Sequence, residues 1–317
     1  MMETIVAYVG FFLAAYSVIS NDVIQTLGTF ISSNKKRPWF FLWFFIGSIL
    51  ALTLIYGWYV NQGDVTYGRL DNIPLPEEMS WVYLLAPFSL LIITRYGIPV
   101  STTFMILSVF STGQVIEKMI LKSIFGYSIS FVAAFTLYLA ISRFFESKAA
   151  MRLMGIKNSQ NFWVVAQWLS TALLWSQWLV QDFANIYVFL PRQLNGVTLL
   201  ITLTVILFIL AIILRNRGGT IQKIVTSKTN TANIRSATVI DLSYAVLLFV
   251  FSSMSAIPMS TTWAFIGILA GREIAINYRL KYNPMKSTYK EIFKDLGKVN
   301  IGLIVSVLIA FLIKALK

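Results

Sequence analysis

Apolar residues run along the chain in long blocks rather than in the short alternations that mark a soluble fold. Blocks approaching or exceeding the roughly 20 residues needed to cross a bilayer lie at about 4–33, 38–60, 81–112, 122–145, 161–193, 196–214, 238–271 and 299–316. Two of them, 81–112 and 238–271, are interrupted by Ile-Pro and, one residue later, Ser-Thr-Thr. Proline lacks an amide hydrogen and disfavours helix at the residue before it, so each block is expected to stop as one half-helix and restart as another. Both are read as re-entrant hairpins, which leaves six full crossings.

Charge placement agrees with that count. Nineteen of the 26 basic residues fall in the segments 35–37, 143–157, 215–235 and 272–298. Six crossings put all four segments on one face, which the positive-inside rule makes cytoplasmic. The connection 61–80 on the opposite face carries Asp64, Asp71, Glu77 and Glu78 against Arg69. Both termini are then expected outside, on a multi-pass protein of a bacterial cytoplasmic membrane. Glu3 in place of a basic start, and the polar Ser20-Asn21-Asp22 directly after the first apolar run, argue for a retained helix rather than a cleaved signal.

The composition narrows the chemistry. Of 317 residues 57% are hydrophobic and 12% charged, against roughly 25% charged in soluble domains. The net charge of +13 sits in short connections, so it marks topology and not nucleic-acid binding. The absence of Cys and His excludes disulfides, thiolate and imidazole metal sites, and triads built on histidine. No phosphate-binding G-x-x-x-x-G-K-[ST] loop is present. An enzyme is therefore not expected, and neither is a cofactor.

The sequence also repeats itself. Asn21-Asp22-Val23-Ile24-Gln25 parallels Gln181-Asp182-Phe183-Ala184-Asn185, and Gly97-Ile98-Pro99-Val100-Ser101-Thr102-Thr103 parallels Ala256-Ile257-Pro258-Met259-Ser260-Thr261-Thr262. The offsets, 160 and 159, are almost half the chain. Three crossings per half turn the second half upside down. The expected fold is an all-α polytopic membrane protein, an inverted-topology repeat of residues 1–157 and 158–317 with broken helices and one re-entrant hairpin in each.

Asp22 and Asp182 lie inside apolar helices, where an uncompensated carboxylate costs at least about 2.5 kcal/mol. Asn21 and Gln25, like Gln181 and Asn185, are four residues apart and share a helix face. Each set either clamps neighbouring helices or helps to bind an ion, and its duplication favours the ion. Ser101 and Ser260 are placed to cap the returning half-helices. The exposed amides there, the positive end of the helix dipole and three hydroxyls form an oxyanion site with no strong cation needed. A proline kink relieved by back-bonding hydroxyls is the alternative, and duplication again weighs against it.

These residues resemble the signatures of the inorganic phosphate transporter (PiT) family. NDVIQTLGT, from Asn21 to Thr29, is similar to its NDVANAxGT; GIPVSTT and AIPMSTT are similar to its paired GxPVSTTH segments; and QDFAN stands for the second signature. The resemblance spans both halves in order. It implies that Asn21, Asp22, Gln25, Gln181, Asp182 and Asn185 bind a coupling ion. Asp22 and Asp182, with Ser101, Thr102, Thr103, Ser260, Thr261 and Thr262, would hold phosphate. The family histidine is Phe104 in one half and Trp263 in the other, Gln25 and Gln181 replace asparagines, and Val188-Phe189 replaces Gly-Pro. Some relatives carry sulfate.

Three charged sets remain. Arg95, four residues before Pro99, is a candidate for contact with substrate or for pairing with Asp22. Glu117, Lys118, Lys122 and Asp241 stand near expected span ends and are read as interfacial. Glu273 beside Arg272 is read as an ion pair. The expected function is sodium- or proton-coupled import of inorganic phosphate by alternating access, with no metal beyond a possible sodium ion and a homodimer implied by the resemblance. The alternatives are a sulfate or other oxyanion permease, and a non-transporting sensor or assembly partner.

Overall fold

The structure, a computed structural model, describes residues 2–95, 100–145, 157–218, 222 and 234–316. Every regular element among them is helical. In the first half these are α1 (Met2–Val18), a π-helical turn (Ile19–Val23), α2 (Ile24–Ser33), α3 (Trp39–Val60), a 3-10 turn (Trp81–Leu84) and α4 (Leu85–Arg95). A second π-helical turn (Thr103–Leu107), α5 (Ser108–Phe110) and α6 (Gly113–Phe145) follow. The second half comprises α7 (Lys157–Asp182), α8 (Ala184–Tyr187), α9 (Gly196–Arg215), α10 (Ile234–Met254), α11 (Thr261–Leu280) and α12 (Met285–Ala315).

The order recurs: a helix broken at the polar mark, a long helix, a pair of helices flanking the Pro-x-Ser-Thr-Thr segment, and a final long helix. Packing recurs as well. α6 of the first half lies along α11 of the second, while α12 packs on the turn Thr103–Leu107 and α5. α1 touches α8 as α2 touches α7, and the equivalent helices α3 and α9 face each other. The expected boundary at 157/158 falls at the start of α7, beside residues outside the description.

Six helices are long and apolar enough to cross a membrane: Met2–Val23, Trp39–Val60, Gly113–Arg143, Gly196–Arg215, Ile234–Met254 and Met285–Ala315. The chain is an all-α polytopic membrane protein. Large side chains such as Phe44, Leu52, Phe208 and Phe311 are exposed on these helices, an arrangement suited to lipid and unfavourable in water. The set differs from the expected one by a single exchange. α7, read as a crossing, is 26 residues long but is made less apolar by Gln167, Gln177, Gln181 and Asp182. α10, read as half of a hairpin, is 21 residues long and apolar enough to cross.

The two Ser-Thr-Thr segments differ in reach. α4 has 11 residues and the return from Thr103 to Phe110 only eight, so at 1.5 Å per residue neither spans roughly 30 Å. α10 and α11, with 21 and 20 residues, are each about 30 Å long. The second segment therefore extends over 234–280 instead of 238–271. α11 continues because Gly267 and Gly271 let it lie directly on α6.

Candidate functional site

The first broken helix meets its interruption at Asn21-Asp22. One π-helical turn, Ile19–Val23, inserts an extra residue there, a distortion that commonly marks a functional position. Both side chains are almost completely buried. In the second half α7 stops at Asp182 and a short α8 follows, so the same mark again falls where the helix is broken.

Both returning helices start at the expected serine. Ser260 is the N-cap of α11, its Oγ accepting the Trp263 amide at 3.3 Å. Ser101 Oγ accepts the Phe104 amide at the same distance. These caps use the serine oxygens and leave the threonines next in sequence to face the aspartates.

The threonines close a single hydrogen-bonded cluster across both halves. Thr102 Oγ1 donates to Asp22 Oδ2 in a very short bond. Thr261 Oγ1, its repeat equivalent, donates to Asp182 Oδ2 at 2.5 Å. Thr103 Oγ1 reaches across the halves to Asp182 Oδ1 at 3.0 Å. Asn185 Nδ2 lies within bonding distance of Asp182 Oδ1, Thr102 Oγ1 and Thr103 Oγ1, at 3.1, 3.0 and 3.2 Å. Asn21 Nδ2 donates to Asp22 Oδ1 at 2.9 Å and to the Val100 carbonyl at 3.0 Å. Asp22 and Asp182 are linked through Thr102 and Asn185 in this buried network.

Of the sequence-derived residues, Asn21, Asp22, Thr102, Thr103, Asp182, Asn185 and Thr261 are thus brought together, with Ser101 and Ser260 directly behind them. Gln181 is buried and donates to the Leu248 carbonyl at 3.3 Å; Thr262 is buried on α11 but makes no bond to either carboxylate. The side chain of Gln25, and Pro99, lie outside the described residues. Arg95 is exposed at the end of α4. Phe104 and Trp263 are buried. Two orphaned oxygens here suit a hard cation: Asn185 Oδ1 and Gln181 Oε1 are buried without a donor.

One charge expected at the interface is instead interior. Asp241 is 1% exposed and accepts Thr29 Oγ1 at 2.5 Å and Thr171 Oγ1 at 2.8 Å, tying α10 to α2 and α7. α10 begins four residues earlier than the apolar run suggested, which moves Asp241 inward by about a turn. Asp241→Asn is expected to lower stability by about 1–3 kcal/mol, since one threonine hydroxyl would then face an amide donor in place of an oxygen. Thermal unfolding in detergent measures this. Lys122, half-buried on α6, donates to the Ser255 and Ile257 carbonyls at 2.9 and 2.7 Å. Glu273 does pair with Arg272, at 3.9 Å.

Sequence reading also missed Arg69. It belongs to the acidic connection 61–80, yet it is 3% exposed and feels the charge of Asp182. Its Nη1 and Nη2 donate to the Ser255 and Ser252 carbonyls at 2.5 and 3.1 Å. A lone cation in an acidic loop was the available signal.

No family model and no curated protein sequence matches the chain. A solved structure described as "The sodium-dependent phosphate transporter" aligns with 100% of this chain and 100% of its own at a TM-score of 0.61 and 18% identity. The likeness is one of fold. Over its whole length the chain shares the fold of that structure.

Proposed function

We propose that the protein is a secondary carrier that moves a tetrahedral oxyanion, inorganic phosphate first, across the membrane together with sodium. The observation that most supports it is the bonding of Asp182 by a hydroxyl from each Ser-Thr-Thr segment, Thr103 and Thr261. The name of the structural neighbour points to the same ions. The site residues are those of the buried cluster: Asp22, Asp182 and the amides for the cation, the threonines and the capped helix starts for the anion.

The hydroxyls supply a reason for coupling. A threonine has one hydrogen to donate. Thr102 gives its hydrogen to Asp22 and Thr261 gives its own to Asp182, so neither is free for an anion. A cation on each carboxylate replaces those hydrogen bonds, cancels the negative charge and releases the hydroxyls. The anion then binds where it would otherwise be repelled. Exposure of this centre alternates between the two faces as one half moves against the other. Monohydrogen phosphate can also donate to a carboxylate oxygen, which sulfate at neutral pH cannot.

The test is uptake of labelled phosphate by proteoliposomes under a sodium gradient, with unlabelled sulfate in excess in a parallel sample. Sodium-driven uptake that sulfate leaves unchanged is the expected result. Uptake driven by a proton gradient alone would replace the coupling ion, and abolition by sulfate would make the protein a sulfate or general oxyanion permease. Binding without uptake under either gradient would identify a non-transporting sensor.

A further inference from the structure

The break between α10 and α11 presents two opposite helix ends. The start of α11 offers amides and positive dipole, as an oxyanion requires, but the last carbonyls of α10 carry the negative end. Left bare, they would repel an anion. Arg69 covers Ser252 and Ser255, and Lys122 covers Ser255 and Ile257. The two cations share one carbonyl and repel each other. Covering three carbonyls does not by itself call for two like charges side by side.

Charge balance accounts for the pair. Arg69 and Lys122 match Asp22 and Asp182 when no ion is bound. Cations on the carboxylates would leave the two basic side chains without a counter-charge, which a dianion supplies. Arg69 also retains a donor for it: its Nε is buried and has no partner. Burial pulls the guanidinium down to about 10, with the Asp182 charge opposing that fall, so it stays charged at neutral pH.

The connection 61–80 is built to deliver this side chain. Asp64 Oδ1 accepts the Thr66 amide and hydroxyl at 2.7 and 2.6 Å, and Oδ2 accepts the Gly68 amide at 2.7 Å. Tyr67 and Gly68 turn the backbone through positive φ, 54° and 71°. Arg69 follows at once, its amide bonded to the Thr66 carbonyl at 3.1 Å. A fixed turn spares the guanidinium much of the entropy of finding its place.

We propose that Arg69 is an oxyanion-recognition residue, contacting a dianion of the phosphate class at the α10–α11 break through its unpartnered Nε. The inference rests on the transport reading above. Arg192 provides the control: it too is partly buried and donates to carbonyls, those of Val188 and Ile73 at 3.2 and 2.8 Å, but the carboxylates acting on it are those of its own connection, Asp64 and Asp71.

The experiment compares wild type, Arg69→Gln, Arg69→Lys and Arg192→Gln in proteoliposomes, with phosphate KM and kcat read separately and Tm measured in detergent. A charge-assisted bond lost from the anion predicts a rise in KM of about 10- to 100-fold for Arg69→Gln. The smaller rise of Arg69→Lys and an unchanged KM for Arg192→Gln complete the expected pattern. A KM for Arg69→Gln within twofold of wild type, with only Tm lowered as in Arg192→Gln, would overturn the inference and leave the transport reading standing. Should Arg69→Gln fail to fold, Arg69→Lys decides by the same criterion. Wild-type protein that neither binds nor moves phosphate or sulfate would overturn both.

Discussion

Sodium-driven uptake is expected to fall by about 100-fold or more when Asp182 becomes asparagine, as ligand and charge are lost together. The substitution preserves shape, so its effect isolates chemistry. Asp182 receives three donors, from Thr103, Thr261 and Asn185. Asparagine offers one oxygen and a donor of its own, so at least one of those groups faces another donor. With the carboxylate goes the attraction for a cation, and with the cation the release of the hydroxyls to the anion. Flux and its sodium dependence should therefore disappear together. Asp22→Asn should act in the same direction, since Thr102 gives Asp22 the bond that Thr261 gives Asp182. Proteoliposome uptake measured across a range of sodium concentrations checks both. Parental rates with unchanged sodium dependence in the two variants would remove the carboxylates from the mechanism.

The convergence of these residues was legible because the marks are local. Polar residues within an apolar run, and proline followed by hydroxyls, stand out wherever they fall, and duplication at one offset tied the halves together. Ser101 and Ser260 could be placed as caps from the residues around them alone. Arg69 and Asp241 could not. Asp241 was assigned by its distance from a span end and Arg69 by the acidic connection that holds it, whereas burial depends on which distant segments fold over a residue. Arg69 is covered because its turn carries it onto the end of α10, 183 residues further along the chain. Asp241 is covered by Thr29 and Thr171, on helices read as separate crossings. α7, read as a crossing from its apolar run, turns its polar side chains inward: Gln167, Thr171, Gln181 and Asp182 are all buried. In a membrane protein the interior is where polar residues are sheltered, and an average over a window cannot tell one face from the other.

Gly271→Ala is expected to cost about 3 kcal/mol or more, the upper range for overpacking, because its methyl meets backbone that cannot rotate away. A Cβ at Gly271 would lie 2.2 Å from the Phe131 carbonyl oxygen and 2.9 Å from the Phe135 amide nitrogen. Gly267, one turn earlier, meets the Tyr127 carbonyl oxygen at 2.5 Å. The two form a G-x-x-x-G face on α11, the arrangement that lets membrane helices touch along their backbones. Apolar side chains gain little by leaving lipid for one another, so close packing must hold α6 to α11. Separation of these helices would also move the functional centre, for Ser260 donates its amide to Ser123 of α6 at 2.9 Å and Thr261 follows it. Gly126→Ala supplies the contrast. Its Cβ would meet Met259 Cε at 2.9 Å, the free end of a side chain that adapts readily. Thermal unfolding in detergent should show a large loss for Gly271→Ala and a small one for Gly126→Ala. Equal losses would mean that the backbone contact is not what joins the two halves.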